Sequence, residues 1–124
     1  MTLFFKTKRL QKQCSEAKTM NRDFGKQGSL KLMQRLMELQ AAATLKDVSH
    51  LPPPRCHELV NAKGVFSVDL MQPYRLLFIP ANDPLPRVAD GGIDQSLVTE
   101  IEILAIEDTH DKKTQRGACN EYSE

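Results

Sequence analysis

The chain has 124 residues, a formal net charge of +1 and 40% hydrophobic residues. That length is one domain, since domains centre on about 100–150 residues, and the apolar content excludes wholesale disorder. Near-neutrality excludes a uniformly basic surface, yet Met1 to Lys63 carries twelve Lys and Arg against five Asp and Glu, while Gly64 to Glu124 carries five against eleven.

Thr2 to Lys6 is short, apolar and aromatic, and reads as a first strand. Leu10, Cys14, Ala17, Met20 and Phe24 then form one stripe of an amphipathic helix, with Lys8, Arg9, Lys12, Lys18 and Arg22 mostly on its other faces. Gly25 and Gly28 mark a break, and Ser29 suits the N-cap of a second helix through Leu32, Met33, Leu36, Met37 and Gln40 toward Ala43. Two such helices make a helical hairpin, with the methionines expected in its core. Leu51-Pro52-Pro53-Pro54 stops the helices and predicts an extended connector.

The period then changes to two. His57 to Val60 reads as a strand, Asn61 to Gly64 as a hairpin turn, and Val65 to Leu70 as a strand with Phe66, Val68 and Leu70 on one face. Tyr74 to Ile79 is a near-continuous apolar run broken by Arg75, expected to be a central strand. Pro80 to Ser96 is a long loop, a length that marks function or disorder. In the final strand, Leu97 to Ile106, alternation puts Ile101, Ile103 and Ala105 on one face and Leu104 and Ile106 on the other. Lys112 to Glu124 reads as a polar tail beyond a domain spanning 1–111. Grouped helices followed by grouped strands predict an α+β fold: an N-terminal strand, a helical hairpin, then an antiparallel meander of three to four strands, with the helices on one sheet face.

Cys14, Cys56 and Cys119 are an odd number without ligand spacing, so no metal site is expected and a reducing cytoplasm suits them. The N-terminal run Met1 to Lys6 is too short for a signal h-region, and no run approaches the ~18 apolar residues of a membrane span. The polar candidates for chemistry lie in the strand half: Arg55, His57, Lys63, Arg75 and His110. Arg75 stands out, since a guanidinium within an apolar strand needs a partner or an exposed face. The structural alternative is an ion pair with Asp69 or Glu102 across the sheet. His57 and His110 are residue types suited to acid–base work, although surface histidines are commoner. The cations of the first half mark either a polyanion-facing patch or ordinary solvated helix faces.

The runs Leu51 to Leu59, Gly64-Val65-Phe66-Ser67-Val68-Asp69-Leu70, Pro73-Tyr74-Arg75-Leu76-Leu77-Phe78 and Ile103 to His110, in this order and spacing, resemble the HigB-like toxins of the RelE/ParE toxin–antitoxin superfamily. The resemblance spans about Met1 to Lys113 and implies the same α+β fold. It implies a ribosome-dependent messenger RNA endoribonuclease, without metal or cofactor, in which the ribose 2′-hydroxyl attacks the adjacent phosphate. A helix-turn-helix, HigA-like antitoxin would neutralise it in a hetero-oligomer in the cytoplasm. By motif, Arg75 would hold the scissile phosphate and His110 would be the acid or base. His57 and Arg55 would lie near the site, and Lys63 would be a further phosphate contact. The basic helical half, with Lys8, Arg9 and Lys12, would meet ribosomal RNA. The sequence departs from the family pattern at Thr109, where relatives often carry an aromatic, and in the length of the Pro80–Ser96 loop. ParE-type members poison DNA gyrase without cutting RNA, and a third possibility is a weakly catalytic relative acting mainly through its antitoxin.

Overall fold

In the computed structural model, which describes residues 1–109, a strand and two helices precede four more strands. β1 (Thr2–Phe5) buries Leu3 and Phe5 partly against the core and leaves Phe4 exposed, the alternation expected of a half-covered strand. α1 (Lys8–Ser15) starts at Thr7, whose hydroxyl accepts the Leu10 N–H at 3.1 Å. It ends at Glu16, which leaves the helical region (φ −106°, ψ 115°). The Glu16 N–H donates to the Lys12 carbonyl and its own carbonyl accepts from Met20, so one residue closes α1 and opens the next helix.

α2 (Ala17–Ala41) contains a kink at Gly25, with φ 74° and ψ 174°, a conformation that only glycine adopts without strain. The helical breaks therefore fall at Glu16 and Gly25, not across Gly25 to Gly28. Ser29 is no N-cap. It lies inside α2, buried, with its hydroxyl lacking a partner among the described residues. The phase of α2 also differs from the expected stripe. Leu32, Leu36 and Leu39 are buried, while Leu30, Met33 and Met37 form an outward row with Met37 65% exposed. Of the α2 methionines only Met20 is core.

The 51–54 segment is a compact turn, closed by the Arg55 N–H donating to the Leu51 carbonyl at 3.1 Å, instead of an extended connector. β2 (His57–Glu58), β3 (Phe66–Asp69), β4 (Tyr74–Pro80) and β5 (Glu100–Asp108) follow. The five-stranded sheet has the order β1-β5-β4-β3-β2. β2 to β5 pair antiparallel as expected, but β1 lies parallel to β5, so the sheet is mixed. The Pro80–Ser96 loop is itself folded. Arg87 and Ile93 bridge, the Val88 N–H donates to the Gly92 carbonyl at 2.8 Å, and the Asn82 carboxamide ties the loop base to Thr99 and Glu100.

Leu10, Cys14, Met20 and the α2 leucines pack on the face formed by Phe66, Val68, Leu76, Phe78, Ile101 and Ile103, where Phe66 and Phe78 stack at 5.9 Å. Arg35 of α2, only 2% exposed, ties that layer to β3 by donating from Nε to the Asp69 carbonyl at 2.7 Å. Glu38 compensates its charge at 3.2 Å. A β-bulge disturbs the β4–β5 register: Leu77 pairs with Ala105 and Phe78 with Ile103, leaving Leu104 extra. One inserted residue reverses the facing of everything after it. Ile106 thus rejoins Ile101 and Ile103 in the main core, and Leu104 packs with Val65 and Leu77 on the opposite face, against the simple alternation expected of β5.

Candidate functional site

The register sorts the polar residues by face. His57, Ser67, Leu77 and Ala105 form one cross-strand row, and Asp69, Arg75 and Glu107 the next, both on the face away from the helices. Arg55 joins this face through Asp69, donating from Nε at 2.8 Å and from Nη2 at 3.1 Å. Strand geometry puts the Cα atoms of His57 and Arg75 roughly 12 Å apart, two strands across and one row along. Three of the sequence candidates, Arg55, His57 and Arg75, thus meet on one face.

Arg75 is partnered as expected of a guanidinium in an apolar strand, but by Glu107 instead of Asp69 or Glu102. Its Nε donates to the Glu107 carboxylate, which is 1% exposed; its Nη atoms take no hydrogen bond among the described residues. A buried carboxylate needs such a partner, and the pairing fixes the plane of the guanidinium with the Nη edge directed elsewhere. Asp69 serves Arg55, whose basicity it raises through hydrogen bonding and charge. The result is an alternating row: Arg55, Asp69, Arg75, Glu107.

Arg55 has φ 48°, a left-handed backbone unusual for a side chain of its size. Its N–H, carbonyl and guanidinium are all engaged, by Leu51, His57 and Asp69 respectively. The strained residue is therefore held from three sides, a pattern that accumulates at functional sites. The carbonyl contact also sets the histidine tautomer. Nδ1 of His57 lies 3.0 Å from the Arg55 oxygen, which can only accept, so Nδ1 carries a proton and the neutral ring keeps its lone pair on Nε2. His57 itself is exposed.

The other candidates are elsewhere. Lys63 stands at the β2–β3 turn, on the rim of a cleft of about 410 Å³ between that turn and the 81–94 loop. Lys8, Arg9 and Lys12 lie on α1, which packs on the opposite sheet face; they line a groove between α1 and the start of α2. His110 and the 112–124 tail lie outside the described residues. Among the described residues no group of His, Cys, Asp and Glu is placed to hold a metal ion, and no helix is long and apolar enough to cross a membrane.

Sequence reasoning missed Glu107 as the partner of Arg75, and it offered Asp69 to Arg75 where the structure pairs Asp69 with Arg55. For Arg75 the signal was present, since acidic residues in strands opposite a half-buried arginine are natural partners, but only the register selects among Asp69, Glu102 and Glu107. Compared with known protein families, curated proteins and solved structures, the chain matches none.

Proposed function

We propose that the chain is a toxin of the RelE/ParE class that cleaves messenger RNA on the ribosome. The observation that carries this reading is the convergence of Arg55, His57 and Arg75 on the face away from the helices, with the Nε2 lone pair of His57 left to act. The sequence resemblance to HigB-like toxins supplies the substrate. In the proposed step the ribose 2′-oxygen bonds to the adjacent phosphorus, its proton passes to Nε2 of His57, and the bond to the 5′-oxygen breaks. The Nη edge of Arg75 binds the phosphoryl oxygens as negative charge grows there, while Glu107 holds the guanidinium plane. His110 would protonate the departing oxygen. The protein would work in the cytoplasm and be silenced in a hetero-oligomer with a helix-turn-helix antitoxin.

In vitro translation with purified ribosomes tests this. Arg75→Ala and His57→Ala should each lower messenger cleavage by roughly 10²–10⁴-fold. Inhibition by both variants at the wild-type level overturns the mechanism. The pairing of both arginines with carboxylates favours a second reading, a ParE-type gyrase binder with no need of a bare cation. A supercoiling assay separates the two, since only that activity traps cleaved DNA.

A further inference from the structure

We infer that the cleft between the β2–β3 turn and the 81–94 loop is a nucleobase site selective for guanine, an inference that rests on the RNA-cleaving reading and names its substrate preference. The cleft lies on the same sheet face as Arg75. Its floor is apolar, formed by Val65, Ile79 and Leu104, with Leu85 and Ile93 along one wall. A second groove of about 420 Å³ shares Lys63, Gly64, Leu85 and Ile93 with it, so the two are continuous. Either volume is in the range of small-ligand sites, roughly 300–1,000 Å³. A flat apolar floor suits the face of a base, and single-stranded RNA presents its bases splayed out for such contacts.

The polar group set in this floor decides which base. Glu102 pairs with Ile79 in the β4–β5 ladder and lines the cleft. Among the described residues it takes no hydrogen bond or ion pair. A carboxylate offers two acceptor oxygens side by side. Guanine alone among the four RNA bases presents two adjacent donors on its Watson–Crick edge, N1–H and the N2 amino group. Adenine and cytosine set a ring acceptor beside their amino group, and uracil flanks its one N–H with two carbonyls. A carboxylate therefore attracts guanine and repels part of each other edge. Lys6 and Lys63 also line the cleft, and a lysine on this rim would add a donor for the guanine O6. Four residues of extended strand separate Arg75 from Ile79, about 13 Å, a step that a splayed strand covers in two nucleotides. The site would thus read a base about two nucleotides from the scissile phosphate.

Binding of nucleoside monophosphates to the full chain, followed by titration calorimetry and by amide shifts of residues 79 and 102–104, tests the inference without any cleavage. GMP should bind about tenfold or more tighter than AMP, CMP or UMP, the discrimination of one good bidentate pair. IMP, which lacks only the N2 amino group, should lose most of that advantage on the unaltered protein. Glu102→Gln, nearly isosteric and removing no side-chain hydrogen bond or ion pair among the described residues, should bring GMP down to the level of AMP. Equal binding of the four nucleotides, no binding of any, or a guanine preference that survives in Glu102→Gln overturns the inference. The two ideas fail separately. Retained inhibition by Arg75→Ala and His57→Ala sinks the cleavage mechanism and leaves the guanine site standing, whereas loss of inhibition with no nucleotide preference does the reverse.

Discussion

At the scale of single residues, burial and partners decide chemistry more than residue type does. Cys14 and Cys56 are both thiols in the apolar layer, and burial pushes their pKa values up to about 12 and about 11. The folded chain thus holds them protonated where an unfolded chain would ionise them, near 8.5. Their contribution to stability is complete below that value and is lost as pH rises through 11 to 12. At pH 8 iodoacetamide should leave both unmodified in the folded protein and alkylate both in urea, read by mass spectrometry of the two peptides. Alkylation of folded Cys14 at the rate of a free thiol would contradict its place in the core. Asp23 shows the opposite shift: hydrogen bonds from Gln13 and then Arg22 hold its carboxyl below the usual range, so its stabilising effect is present above pH ~4 and fades as acid protonates it. Arg75 and Glu107 belong to this scale too. The sequence made a partner for Arg75 necessary, while the choice of partner followed from which strand lay beside it.

Elements were legible where local chemistry dominated. The period-two run Val65 to Leu70 and the near-continuous apolar run Tyr74 to Ile79 became β3 and β4 to within one residue at each end, because strand residues and flanking turns mark both locally. The helices were read less well. Positions 32, 33, 36 and 37 are all apolar, so the sequence offers two adjacent stripes, and tertiary packing selects the one with Leu39. Urea denaturation distinguishes them. Leu36→Ala should cost about 2–5 kcal/mol, the range for emptying a core site, whereas Met37→Ala should stay within ~0.5 kcal/mol, as exposed substitutions do. Equal losses would mean that the Met37 face is covered. The bulge at Leu104 was invisible for a similar reason. It arises from fitting β5 to β4, and no residue of β5 alone announces it.

At the scale of the molecule, the sheet divides the predicted RNA contacts into two groups on opposite faces. Arg55, His57 and Arg75 fall on one, with Lys63 on the rim of the cleft beside them; Lys8, Arg9 and Lys12 fall with the helices on the other. Charge counting along the chain foresaw a basic first half, but the third dimension splits that half, with Lys8, Arg9 and Lys12 on the helices and Arg55 on the face of Arg75. A Lys8→Ala/Lys12→Ala double variant should weaken ribosome binding and flatten its salt dependence by a log–log slope of roughly 1.5–2, with the guanine preference of the cleft unchanged. A changed preference would show that the faces are coupled. The strand order has a consequence for biosynthesis as well. β5 lies between β1 and β4 and pairs with both, yet it is the last of the described strands to be translated. Until residues 100–108 leave the ribosomal tunnel, β1 has no neighbour and Arg75 no Glu107. A nascent chain therefore cannot assemble the candidate site before β5 has emerged, and the pairing of β5 with β1 and β4 is the step that completes it.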